Sequence, residues 1–320
     1  MIKTFGHYIK RFIDACRDTK RIVFHFDMIK LNGYFILIKI FIIRFFYSFA
    51  YLRNSSPVIF EKKILDPNYF EGKKFDISCC VKEIDKKGYS SIFNINSILK
   101  NELLDIILNL NNIQKKKLNI NYEKILKLKD ETLNQYLNRL TLLKVNRVTG
   151  YLDINNCPVL KKFLTSREVM SVVKNYLNTS SVSISAMFFI SNPTIADEHQ
   201  KNKDAQTFHW DNDFRKFLKF YIYLTDVDDD SGPHIFVEKT HKFKERRHSL
   251  CRVYDDESVY RYYEKIKRFT GKSGSSFFVD SYGLHKGEPP KKNSRIMLNI
   301  HFGSDKILYS PGDIYHNINL

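Results

Sequence analysis

Within Thr207-Phe208-His209-Trp210-Asp211 an imidazole and a carboxylate stand two residues apart in a segment that reads as strand. Residues i and i+2 of a strand project to the same side. His209 and Asp211 therefore offer one nitrogen and one oxygen donor to a metal over one face of a sheet, while Trp210 points away. Two donors do not hold a catalytic metal, and a third is expected from His285 in Tyr282-Gly283-Leu284-His285-Lys286-Gly287. Two histidines and one carboxylate, with coordination positions left open, form the facial triad suited to non-haem Fe(II). Zinc could use the same donors, but Arg295 adds a further group. In a strand from Arg295 to Phe302, the residues Arg295, Met297, Asn299 and His301 share one face and Ile296, Leu298, Ile300 and Phe302 the other. A guanidinium fork aimed at the polar side can take a carboxylate bidentately.

Taken with Phe217 to Asp226, Ser231-Gly232-Pro233 and Val237-Glu238-Lys239-Thr240-His241-Lys242, these pieces resemble in order and spacing the phytanoyl-CoA dioxygenase family. The resemblance runs from about Phe75 to Gly303. It implies a mainly β protein, a double-stranded β-helix (jelly roll, cupin-like) with flanking helices. It also implies Fe(II) held by His209, Asp211 and His285, with 2-oxoglutarate and O2 as cosubstrates and Arg295 on the distal carboxylate of 2-oxoglutarate. The reaction so implied is a substrate oxygenation, a hydroxylation first of all, releasing succinate and CO2 and needing no catalytic side chain beyond the iron ligands.

Several positions depart from the family pattern or leave alternatives open. The family often carries a hydroxyl residue two after the distal histidine to assist the arginine, and Gly287 stands there; Asn299 or a tyrosine such as Tyr221 are the candidates to replace it. Asp213 also lies on the His209 face, as an alternative carboxylate or, preferred, as a loop cap. His234, His241 and His248 are further imidazoles, of which His241, in a family-like segment, is read as structural or as orienting the ligands. A carboxylate at Asp211 argues against halogenation, which needs a small residue there. The same ligands also serve desaturation, ring closure or epimerisation. A rival of another class is a non-catalytic jelly-roll binding protein at a membrane, against which the intact triad and Arg295 argue.

The chain has 320 residues, 43% of them hydrophobic, and a formal net charge of +17. That suits a folded domain with an appendage and a surface drawn to anions. Positive charge is concentrated in residues 1–74, and with no long Lys/Arg run the balance argues against nucleic acid as partner. An anionic or lipid-linked small molecule, such as a glycan precursor, is the substrate class this charge suggests. Cys16, Cys79, Cys80, Cys157 and Cys251 form no C-x-x-C pair, which points to reduced thiols and a cytoplasmic setting.

Three regions follow: a basic, hydrophobic and helical N-terminal appendage over 1–74, the dioxygenase domain over 75–303, and a tail over 304–320. Residues 34–52 are apolar enough in length to span a bilayer. About a dozen Leu/Ile/Phe at roughly −0.3 to −0.6 kcal/mol each are nearly balanced by Lys39 and Arg44 at roughly +2.5 to +3.5 each. A span with the basic residues ahead of it kept inside would export the catalytic domain from its cytosolic cosubstrate. A helix on the anionic inner face of the membrane and a helix buried against protein are the two readings kept.

In the domain, periodicity predicts helices over Ile98–Leu110, Asn121–Leu143 and Ser166–Leu177, the last with Ser166 as N-cap. Strands are predicted over Ser181–Ile190, Phe217–Thr225, Ser275–Asp280 and Ser294–Phe302. The loop Thr194–Ala205 reads as a surface loop or lid, and the charged stretch Phe243–Thr270 as helical, with Arg246, Arg247, His248 and Arg252 available to an anion.

Overall fold

A computed structural model of the chain describes residues 68–72, 75–108, 127–128, 130–179, 181–196, 200–201, 204–211, 216–245, 248, 252–304 and 316–319. The chain divides into a unit Met1–Phe49, which lies outside the described residues, and a unit Ala50–Leu320, which holds everything below. The apolar stretch 34–52 and the acid Asp213 also fall outside them. Among the described residues no helix is long and apolar enough to cross a membrane.

Helix α1, Ile77–Lys87, starts where the Asp76 carboxylate accepts from the Cys79 amide at 2.9 Å and ends at Gly88, in the left-handed region with φ 94°. Gly88 is obligatory on two counts. A Cβ there would lie 2.6 Å from the Phe236 ring and 2.8 Å from His241 Nδ1, and other residues avoid that φ. The turn leads to the short strand β1, Phe93–Asn94, and then to α2, Ser97–Leu108, which buries Leu99, Leu103 and Ile107 at helical spacing.

Helix α3, Leu133–Leu142, is shorter than the periodicity predicts. Thr132 accepts from the Gln135 amide and Gln135 from the Thr132 amide, a capping box that begins the helix at that point and leaves the described residues 127, 128, 130 and 131 outside it. Strand β2, Arg147–Leu152, and helices α4, Pro158–Leu164, and α5, Arg167–Leu177, follow. Ser166 precedes α5 as expected but makes no capping bond; its buried hydroxyl has no partner.

The remaining strands build two antiparallel sheets. They are β3, Ser181–Ser191; β4, Phe208–His209; β5, Phe217–Tyr223; β6, His234–Val237; β7, Val253–Tyr254; β8, Ile266–Phe269; β9, Ser275–Val279; β10, His285–Gly287; β11, Arg295–Gly303; and β12, His316–Asn319. The larger sheet runs β1-β9-β5-β11-β3-β12, with β2 also on the β3 edge, and the smaller one β7-β4-β10-β6-β8. Two findings correct the sequence reading. The stretch 243–270 is not a helical insertion throughout, since among its described residues the one α-helix is α6, Asp256–Tyr262, and β7 and β8 extend the smaller sheet. The C-terminal tail returns as β12 to pair with Ser181–Ile184 of β3, where the neighbouring strand β2 has already ended.

Alternation along β11 explains the layering. Ile296, Leu298, Ile300 and Phe302 join Phe220, Ile222 and Phe278 in a core roofed by Leu103 of α2, Phe163 of α4 and Val169 of α5. Each such aromatic or aliphatic side chain withdrawn from water contributes about 1.5–3 kcal/mol. Met297, on the opposite face, joins Phe189, Tyr221, Tyr223 and Phe277 against Phe236 and Phe269 of the smaller sheet. A third cluster, Phe208, Ile235, Val237 and Leu284 with Val259 of α6, covers the smaller sheet's outer face. The two inner faces thus enclose a space whose walls are set by strand period alone.

Candidate metal centre

In the smaller sheet His285 is the direct cross-strand partner of His209, and their rings lie 4.3 Å apart. Asp211 follows β4, its amide donating to the Ser281 carbonyl at 2.9 Å, so the turn before β10 also fixes the carboxylate. His209 Nε2 is 3.9 Å from Asp211 Oδ1 and His285 Nε2 is 3.4 Å from Asp211 Oδ2. One donor atom from each of the three lies within 4.8 Å of the others, and all three residues are buried.

The backbone also sets the tautomers. His209 Nδ1 donates to the Thr207 carbonyl at 2.8 Å and His285 Nδ1 to the Gly283 carbonyl at 2.9 Å. A carbonyl can only accept, so each Nδ1 carries a proton and each Nε2 is the nitrogen turned toward Asp211. Burial, together with the charge His285 would carry, pushes the His209 imidazole down to about 3, which keeps it neutral and able to ligate. Burial by itself would raise the Asp211 carboxyl. Lys219 Nζ at 2.5 Å, with the imidazoles, holds it well below the usual carboxylate range. Arg252 Nη2 approaches the other oxygen at 3.3 Å. The donor set is therefore two imidazole nitrogens and an anionic oxygen, the chemistry of a first-row divalent ion with open positions.

Arg295 opens β11 with its side chain on the inner face. Its Nε and Nη1 are sealed from solvent without a partner, and Nη2 reaches only the Ser191 hydroxyl, at 3.5 Å. Burial lowers its affinity for its proton, yet the group stays cationic. Asn299 shares this face and its Oδ1 is likewise buried without a partner. Tyr221 stands directly across from Asn299 on β5, its hydroxyl pushed up to about 12 by burial. A Cβ on Gly287 would sit 3.2 Å from Arg295 Nη2, so the missing hydroxyl is missing at the guanidinium itself. Buried donors with no acid among them fit a bound carboxylate.

Sequence reasoning assigned no role to three residues of this space, although it noted His234 as a further imidazole. His234, opposite Gly287, has its ring 5.5 Å from that of His285 and 4.6 Å from that of Tyr221, and burial holds it well below its ordinary value. Lys219 and Arg147 lie on the inner faces of β5 and β2. Strand alternation was the available signal for all three, since each shares parity with a residue facing inward. His241 stays out of the centre: its Nε2 donates to the Asp85 carbonyl at 3.0 Å beneath α1, and its Nδ1 has no partner. His248 lies among Tyr254, Tyr262 and Tyr263.

A family model described as Phytanoyl-CoA dioxygenase (PhyH) matches residues 136–295. Among solved structures the chain is similar to AviO1 from Streptomyces viridochromogenes Tue57, at 11% identity and a TM-score of 0.45, over 75% of this chain and 100% of that one. It is similar to HygX from Streptomyces hygroscopicus with nickel and 2-oxoglutarate bound, at 10% identity and 0.46, over 71% and 86%. It is similar too to the non-heme alpha ketoglutarate dependent epimerase SnoN from nogalamycin biosynthesis, at 10% and 0.45, over 71% and 80%. No curated protein matches the chain.

Proposed function

The chain belongs to the phytanoyl-CoA dioxygenase family of Fe(II)- and 2-oxoglutarate-dependent oxygenases, and from that membership we propose that His209, Asp211 and His285 hold its iron and Arg295 the distal carboxylate of its 2-oxoglutarate. The observation that carries the assignment is the pair of Nδ1–H···O=C bonds, which turn both Nε2 lone pairs toward one buried carboxylate. When bound, iron supplies the activation of O2 that is coupled to decarboxylation of 2-oxoglutarate to succinate. The side chains bind and orient. Arg295 meets a carboxylate with donors that have no other use, Asn299 on the same face of β11 is a further polar contact for the cosubstrate, and the apolar wall of Phe189, Met297 and Phe277 limits water.

The substrate proposed is a small molecule with an anionic group, lipid-linked forms included. Near the centre Lys219 and Arg252 both reach Asp211, and the buried Lys244 holds its ammonium 3.6 Å from the Tyr282 ring and 5.4 Å from the Trp210 ring. This cationic flank would favour an anion approaching from the Trp210 side. Hydroxylation is the outcome proposed, with desaturation or epimerisation open to the same ligands. Contact of 34–52 with an anionic inner membrane face belongs to the same proposal.

The test is anaerobic addition of Fe(II) and 2-oxoglutarate, followed by O2, with His209→Ala and Arg295→Met beside the wild type. A metal-to-ligand absorption band and succinate formation that both substitutions abolish are expected. Absence of the band in the wild type would refute the assignment.

A further inference from the structure

We propose that Arg147 is a second guanidinium of the cosubstrate pocket, sharing the distal carboxylate of 2-oxoglutarate with Arg295 where Gly287 provides no hydroxyl. This rests on the reading of the pocket given above. Strand register supplies the first observation. Arg147 on β2 and Arg295 on β11 are both direct partners of Ser191 on β3, so the three form one row across the larger sheet. Partners in a row share a face, and this face is the one that looks into the space between the sheets.

The state of the side chain is the second. Arg147 is half-buried, with Nε sealed from solvent and without a partner, while Nη1 donates to the Asp204 main-chain carbonyl. Its guanidinium lies 3.7 Å from the centroid of Phe189, in the next row of the same face, which fixes the plane of the fork. Among the described residues no carboxylate forms an ion pair with either arginine. The two cations are close enough that Arg295, after burial and against the pull of Asp204, helps lower the Arg147 guanidinium to about 10. Two buried like charges with no carboxylate in ion-pair contact favour an anion between them.

Around the pair, Gln206 Nε2 is another buried donor without a partner, and Asn146 ties the Asp204 carboxylate to β2, which holds the segment bearing Gln206 over the row. Among the described residues Ser191 is the one hydroxyl bonded to Arg295, at 3.5 Å. Arg147 therefore supplies charge and fork donors to the carboxylate end of the cosubstrate, remote from the metal. Its consequence is selectivity for a 2-oxo acid with a second carboxylate.

The experiment is calorimetric titration of the full-length, Ni(II)-loaded protein with 2-oxoglutarate and with pyruvate, which keeps the chelating end and lacks the distal carboxylate. Arg147→Met is expected to raise the Kd for 2-oxoglutarate about 10- to 100-fold, the effect of losing charge-assisted hydrogen bonds, and to leave that for pyruvate unchanged. Arg147→Lys, which keeps the charge and loses the fork, should fall between; it carries the test if the methionine variant does not fold. A 2-oxoglutarate Kd within twofold of wild type in either variant overturns the proposal, as does equal weakening of both ligands. Failure of the wild type to bind 2-oxoglutarate would instead overturn the reading of the pocket on which it rests.

Discussion

Arg295→Met should stabilise the metal-free protein while it destroys cosubstrate binding. In the ligand-free protein the guanidinium is 3% exposed, two of its nitrogens have no partner and the third has one long contact. Each buried unsatisfied donor costs about 1–3 kcal/mol. Methionine fills a similar volume without a charge, and replacing buried charges by well-packed apolar groups is neutral or stabilising by about 1–4 kcal/mol. A gain of about 1–3 kcal/mol in unfolding free energy is therefore expected from urea titration at pH 7. Removing one partner of a buried, hydrogen-bonded charge pair costs about 2–5 kcal/mol of binding. The 2-oxoglutarate Kd of Ni(II)-loaded protein should thus rise roughly 30-fold or more. The two signs oppose each other, as they should for a group retained for a ligand. Loss of more than about 1 kcal/mol of stability with 2-oxoglutarate affinity unchanged would refute the reasoning, because the arginine would then be serving the fold.

Three further perturbations have definite expected outcomes. His301, buried beside Lys219, is held at about 3 by burial and then by that ammonium, against about 6.5 in the unfolded chain. Between those values only the unfolded chain takes the proton, so its contribution is fully present above pH 6.5 and falls by about 1.4 kcal/mol per unit below it. His301→Phe should lessen the stability lost between pH 7 and 5.5 by about that amount in metal-free protein, and parallel pH profiles would refute this. Gly88→Ala forces a Cβ to 2.6 Å from Phe236 at a φ of 94°. A loss of about 2–4 kcal/mol is expected in urea unfolding, and a loss below 0.5 would mean that the turn yields. Asp211→Ala should cost about 3–5 kcal/mol by leaving the Lys219 ammonium buried without its carboxylate. Adding Lys219→Met should restore part of it, whereas strictly additive losses in that double-mutant cycle would show the pair to be uncoupled.

Legibility from sequence followed the strength of the period. The face-sharing of Arg295, Met297, Asn299 and His301 could be read because β11 alternates over nine residues, and the structure places those residues on its inner face. The junction of His209 with Asp211 was legible from a two-residue offset although β4 itself is only two residues long. What escaped were contributions from short or featureless segments. Within residues 253–269, β7 and β8 are only two and four residues long, too short for alternation to reveal them, and their backbones are ordered by β4 and β6. The start of α3 was misplaced because apolar spacing continues upstream of Thr132, and the capping box outweighs it. Arg147 escaped because a single arginine before Val-Thr-Gly carries no motif, and its meaning comes from Ser191, more than forty positions away in the chain.

The division of labour between the sheets has its own consequence. His209 and His285 are oriented by carbonyls of their own segments, Thr207 and Gly283, and Asp211 by the Ser281 carbonyl, all within the smaller sheet and its turns. Arg295, Asn299, Tyr221, Ser191 and Arg147 all stand on the larger one. The proposed metal centre and the proposed cosubstrate pocket are thus separately built, and substitutions in the larger sheet should change 2-oxoglutarate affinity while sparing that for metal. Lys219 is the exception, since it leaves β5 of the larger sheet to bond Asp211 across the space. It links the two halves because any metal drawn to Asp211 must share that carboxylate with its ammonium. A Lys219→Met protein should accordingly bind Ni(II) more tightly than wild type in a chelator competition, and weaker binding would mean that the lysine instead holds Asp211 in place for the metal.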